Sequence, residues 1–207
     1  MHITYFFPAL LALLAAFAGS SWIDYLYSKP KSPISYPDKL QGRHLFRMIF
    51  LTGIYFATEI YCIKMPPFYM FYHVTAAFFL ALIVVTDFEQ YIIFDMILLP
   101  FALSGICFTL ISEPSLSERL VAAFVGGALF FTLMILTKNG IGGGDVKLVA
   151  ALGLWLGSDL LPMLLNASIL GGISAAFLLL SGLKRRTDYF AYGPYLCIAA
   201  AWQIFKP

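Results

Sequence analysis

Charge is scarce in this chain. Of 207 residues only 12% are charged, about half the share in an average soluble domain. Hydrophobic residues make up 61%, and the mean hydropathy is +0.86. A water-soluble fold of this size has too few polar groups here to cover its surface. The bilayer is the solvent that fits. The net charge of +2 gives no broad basic field, so a nucleic-acid partner is not expected. Cysteine is nearly absent as well. Cys62, Cys107 and Cys197 lie far apart in or beside apolar runs and form no CxxC pair. That argues against a zinc site or a disulfide framework and for small buried apolar residues. No internal repeat and no low-complexity segment is visible.

What is present is a series of long apolar runs. A spanning helix needs roughly 20 mostly apolar residues. Runs near 3–23, 45–63, 68–86, 92–112 and 119–137 meet that need. The stretch 146–182 is longer than one span, and Asp159 and Pro162 interrupt it. It reads as a short helix ending near 157 and a second one over 160–182. A last run covers about 189–205. The expectation is an all-α, polytopic membrane protein of about eight transmembrane helices, one domain over 1–207. Its longest hydrophilic stretch, 28–44, holds Pro30, Pro33, Pro37 and Gly42 and reads as a short cytoplasmic loop.

Only His2, and no Lys or Arg, precedes the first run. A signal peptide wants a positive n-region, so the run reads as a retained helix with its N-terminus outside. Of the 13 Lys and Arg, that orientation leaves only Lys64, Arg119 and Lys206 outside, and the other ten inside. The bias obeys the positive-inside rule with both termini outside.

Acidic residues near membrane depth are costly and normally have a task. Asp87 closes the third run, Asp95 follows eight residues later near the start of the fourth, and Asp145 opens the sixth after Gly142, Gly143 and Gly144. All three fall on the cytoplasmic side in this topology. Two facing carboxylates titrate in two steps, because both do not ionise easily at close range. One then polarises a peptide carbonyl while the other activates water, which is metal-free aspartyl-protease chemistry. The glycines leave room for a substrate backbone and permit positive φ at a loop-to-helix junction. Each residue also has a plainer reading. Asp87 is an ordinary charge at a loop with Glu89 as its solvated neighbour, Asp145 an N-cap, Lys147 a topological anchor, and the triple glycine a flexible loop. An acidic-pair ion or proton transporter is a further option, though such acids favour the midplane of paired halves. Composition and spacing define an acidic site at the inner face and no more.

The segment Gly-Ile-Gly-Gly-Gly-Asp-Val-Lys-Leu at 140–148 resembles the GxGD signature of type IV prepilin peptidases. Asp87-Phe-Glu-Gln-Tyr-Ile-Ile-Phe-Asp95 resembles that family's first aspartate motif, with Phe94 where Pro is usual. Ala-Tyr-Gly-Pro-Tyr-Leu at 191–196 is similar to its Pro-Phe-Gly-Pro-Phe-Leu, and Gly-Ser-Ser-Trp-Ile-Asp-Tyr-Leu-Tyr at 19–27 to the end of its first helix, without the family's Asn. The resemblance implies a membrane aspartyl endopeptidase of the cytoplasmic membrane, with its active site facing the cytoplasm. It would cut the short basic leader of prepilin or pseudopilin precursors after a Gly. Preflagellin and tight-adherence pilin precursors are the alternative substrates. Asp87 and Asp145 would be the catalytic pair, with Gly142 to Gly144, Lys147, Asp95 and Glu89 in support. Glu89, Asp24 and Asp95 would draw in the basic leader. No cofactor is implied. Many bacterial members carry two CxxC pairs between the first two helices and also methylate the new N-terminus. The corresponding loop here is short and has no cysteine, which argues against zinc and against the methyltransferase activity.

Overall fold

The computed structural model describes residues 3–29, 43–112, 115–137, 140–183 and 190–206. Among them are eight α-helices and no strand: α1 Ile3–Ser28, α2 Arg43–Cys62, α3 Pro67–Gln90, α4 Asp95–Ser112, α5 Leu116–Leu136, α6 Gly143–Leu156, α7 Leu160–Leu180 and α8 Gly193–Ile204. The described residues fall into two compact units, Met1–Ile92 and Ile93–Pro207.

Six segments are long and apolar enough to cross a membrane: Phe7–Ser28, Arg43–Cys62, Pro67–Gln90, Asp95–Ser112, Leu116–Leu136 and Gly143–Leu180. Large apolar side chains face outward along them. Leu180 is 89% exposed and Phe124 77%, a surface that hydrocarbon solvates and water does not. The chain is a multi-pass membrane protein. Of the eight expected helices, α6 with 14 residues and α8 with 12 are too short to span alone. They rise roughly 21 and 18 Å against a hydrocarbon core of about 30 Å.

In the first unit, α1, α2 and α3 pack on one another. α1 runs to Ser28 rather than to about 23. Asp24 and Tyr27 are therefore helical, because both have partners within the unit. α3 runs to Gln90, which places Asp87 inside its last turn. Tyr91 ends the helix in the left-handed region at φ 56°, its N–H donating to the Asp87 carbonyl. The hydrophilic stretch 30–42 lies outside the described residues.

In the second unit, α5 and α6 make the most extensive pairing. A Cβ at Gly153 would lie 2.5 Å from the backbone of Ala123, and one at Gly126 would lie 2.6 Å from Leu160. Small residues at a helix crossing let backbones approach in a bilayer, where water drives no association. Trp155 is 1% exposed. It stacks on Phe101 at 5.1 Å and donates its indole N–H to the Phe101 carbonyl at 2.8 Å, which fixes α4 against α6.

The break after α6 is made by neither Asp159 nor Pro162. Gly157 at φ +58° ends the helix, a conformation that a side chain resists. A single 3-10 turn, Gly157–Asp159, then leads into α7. The freed groups are satisfied from α5. Arg119 donates to the carbonyls of Leu154 and Trp155, and Glu118 accepts the Ser158 N–H at 2.9 Å.

Candidate active site

Asp145 is set by the start of its helix. α6 begins at Gly143, three residues earlier than the apolar pattern suggests, with Gly142 as N-cap at φ −73° and ψ 148°. Asp145 is therefore the third residue of the helix and not its N-cap. Its Oδ2 accepts the Gly142 N–H at 3.2 Å. This is the carboxylate half of a capping box, and glycine has no side chain to return the other half.

The glycines act by size, not by left-handed backbone. Among the described glycines, positive φ occurs only at Gly157 and Gly182, so the triple glycine does not use the positive φ that glycine permits. A Cβ at Gly144 would come 3.1 Å from Ile93 Cβ, and one at Gly142 would come 3.3 Å from Asp145 Oδ2. At Gly143 a Cβ would meet nothing within 4 Å. The chain is thus pinned on either side of an open position, and the Asp145 carboxylate sits against a bare backbone.

Lys147 and Asp95 are brought together in the same unit. The ammonium donates to both Asp95 carboxylate oxygens at 2.8 Å, joining the first turn of α4 to the first turns of α6. Both side chains stay more than half exposed. They border a mostly apolar cavity of about 590 Å³ whose lining includes Leu99, Ala150, Ala151 and Leu154.

Asp87 is buried in the last turn of α3, in the first unit. Glu89 is not a solvated neighbour. It is buried and takes a forked contact from Arg47, Nε to Oε1 at 3.3 Å and Nη2 to Oε2 at 3.2 Å. Tyr27 donates its hydroxyl to Oε2 at 3.0 Å. Arg47 Nη1 also donates to Asp24 Oδ1 at 2.7 Å, and His44 Nδ1 lies 3.3 Å from Asp24 Oδ2. Glu89, Asp24 and Asp95 are therefore each engaged by a cation, which weakens their pull on a basic peptide. Arg47, counted from sequence only as a topological charge, is 2% exposed and central to this network. The signal was an arginine inside an apolar run, which needs a partner at membrane depth.

In the Tyr192-Gly193-Pro194 motif, Gly193 and Pro194 open α8. The Tyr192 ring fills the space where a Cβ on Gly171 of α7 would stand, 2.8 Å away. The motif has a packing role in the second unit. Among the described residues no group of three or more His, Cys, Asp or Glu is arranged to hold a metal ion.

An all-α, multi-pass membrane protein with carboxylates at helix ends and bare glycines before one of them is the class these observations define. The model of the type IV leader peptidase family matches residues 74–177, half of the chain, and the chain belongs to that family. It is 35% identical over 120 residues to the prepilin leader peptidase/N-methyltransferase of Aeromonas hydrophila, covering 55% of this chain and 41% of that protein. The protein of the same name from Neisseria gonorrhoeae is 33% identical over 138 residues, covering 64% of this chain and 46% of its own length. That from Escherichia coli K12 is 30% identical over 122 residues, 56% and 54% respectively. The chain thus matches about half or less of the length of these relatives. No solved structure gives a significant match.

Proposed function

We propose that this protein is a membrane aspartyl endopeptidase that removes the short basic leader from prepilin or pseudopilin precursors. The two units would act as one peptidase domain, with Asp87 and Asp145 as its catalytic pair. The carrying observation is the family match, whose residues 74–177 include both aspartates. The bare backbone of Gly142 to Gly144 beside the Asp145 carboxylate supports it, since only an extended substrate strand exposes a peptide bond to attack.

One carboxylate, ionised, takes a proton from water as the water oxygen bonds to the scissile carbonyl carbon. The other, protonated, gives its proton to the carbonyl oxygen. The C–N bond then breaks as the first carboxyl passes its new proton to the leaving nitrogen, while the second takes a hydroxyl proton back from the tetrahedral intermediate as the carbonyl re-forms. The pair ends ready for the next cycle without a metal. The excess of Lys and Arg on one side supports an active site facing the cytoplasm in the cytoplasmic membrane, with both chain termini on the other side. We further propose peptidase activity without methyl transfer, on the absence of cysteine between α1 and α2.

The test is cleavage of a precursor peptide by the purified protein in lipid nanodiscs. Asp87→Asn and Asp145→Asn should each lower kcat by at least about 1000-fold. Either variant cutting at the wild-type rate overturns the pair. Mass spectrometry of the product, with S-adenosylmethionine supplied, should show an unmodified N-terminus. A methyl group added by this protein alone removes the second proposal.

A further inference from the structure

The last turn of α3 carries Asp87 and, two residues on, Glu89. Residues two apart on an α-helix point about 200° from each other around the axis. Glu89 is held on the side of α3 that meets α1 and α2, because its three donors are Arg47 Nε, Arg47 Nη2 and the Tyr27 hydroxyl. Whatever fixes the direction of Glu89 therefore fixes the direction of Asp87 on the opposite side.

The fixing group is unusually complete. The Arg47 fork meets both Glu89 oxygens, while Nη1 reaches Asp24 at 2.7 Å and the Ser20 carbonyl at 3.4 Å. The Tyr27 ring lies 5.7 Å from the guanidinium carbon. One side chain of α2 thus ties α1 to the end of α3. A planar fork on a carboxylate restrains rotation as well as distance. Helix packing alone does not call for this arrangement, because a buried ion pair contributes little net stability compared with apolar side chains of the same volume. The backbone of the same turn is restrained too, since the Tyr91 N–H donates to the Asp87 carbonyl at 2.9 Å.

We propose that Arg47 is a positioning residue for the peptidase reaction: through its forked pair with Glu89 it sets the rotation of the last turn of α3 and so aims the Asp87 carboxylate. This rests on the reading of Asp87 as catalytic. A misplacement of about 1 Å at a reacting group costs on the order of 100-fold in rate, so small rotations are enough to matter.

Lysine in place of Arg47 keeps the charge and loses the fork. In Arg47→Lys, kcat should fall roughly 30- to 100-fold with KM within about 3-fold and with an unchanged thermal midpoint. The double variant Arg47→Met/Glu89→Gln removes both charges together and leaves no bare buried ion. It should fold and show the same kcat loss. A spin label on Phe88→Cys, with Cys62, Cys107 and Cys197 replaced by Ala, reads the freedom of the same turn without reference to activity. Its mobility should rise in both variants. Wild-type kcat in Arg47→Lys overturns the proposal, as does unchanged label mobility in both variants. A fall in thermal midpoint and kcat together with a rise in KM points to a structural role and overturns it too. An Asp87→Asn protein that still cuts overturns the catalytic reading instead. That failure is told apart because the label experiment does not depend on it.

Discussion

Lys147 holds both carboxylate oxygens of Asp95 at 2.8 Å across 52 residues of sequence. The contact joins the helix that Asp145 opens to the start of α4. Both side chains are more than half exposed, so the pair contributes little to stability, within about 1 kcal/mol. Asp95→Asn and Lys147→Gln should each leave the thermal midpoint nearly unchanged yet lower kcat, because the start of α6 loses its lateral tie. A double-mutant cycle on kcat/KM should show coupling that shrinks in high salt. Additive effects, insensitive to salt, would contradict the pairing.

Alanine substitutions should rank the three glycines by the space around each. Gly144→Ala places a methyl 3.1 Å from Ile93 Cβ and should cost stability, on the order of 1 kcal/mol. Gly142→Ala crowds Asp145 Oδ2 at 3.3 Å and should act mainly on kcat. Gly143→Ala meets nothing within 4 Å and should fold normally. If substrate backbone runs over this position, KM rises in Gly143→Ala while the thermal midpoint holds. Thermal unfolding and steady-state kinetics on the three variants check the order. An unstable Gly143→Ala contradicts it.

The helices were legible because apolar length is a long-range signal that one polar residue does not erase. The seven runs, one of them split in two, became eight helices with ends shifted by up to about five residues. The shifts have causes that no local pattern shows. α1 continues past Asp24 because Arg47, 23 residues away, accepts it as a partner. α6 starts early because Asp145 caps it from the third position. Gly157, not the more conspicuous Asp159 or Pro162, makes the break, since backbone handedness is invisible in composition. The aspartates and glycines stood out as costly or unusual residues at run boundaries. Arg47 did not, because near the end of a span a lone arginine looks like a topological anchor until the acid it binds is seen.

The helix-capping bond of Asp145 and the catalytic role proposed for it are separable, and substitutions should split them. Asparagine keeps an oxygen able to accept the Gly142 N–H now bound at 3.2 Å, so Asp145→Asn should start α6 normally and lose only cleavage. Alanine removes the acceptor as well and should cost up to about 1 kcal/mol more. Circular dichroism melts of the two variants in the same detergent make the comparison. Equal destabilisation in both would mean that the carboxylate's charge, rather than its hydrogen bond, sets the helix start.

The tightest constraint on the second unit is the crossing of α5 and α6, and it predicts where the fold has no tolerance. A Cβ at Gly153 would lie 2.5 Å from both the N and Cα of Ala123 and 2.8 Å from the carbonyl carbon of Ala122. These are backbone atoms, which have no rotamer to change. Gly153→Ala must therefore push the two helices apart. α6 also carries Trp155 against Phe101 and Gly105 of α4, so that displacement propagates to α4. The cost should reach or exceed the upper end of the roughly 1–3 kcal/mol range for overpacking. Gly172→Ala, with nothing within 4 Å, is the matched control on a neighbouring helix and should be neutral or slightly stabilising. Thermal midpoints in nanodiscs distinguish the two. A Gly153→Ala protein as stable as its control would show that α5 and α6 do not cross at this point.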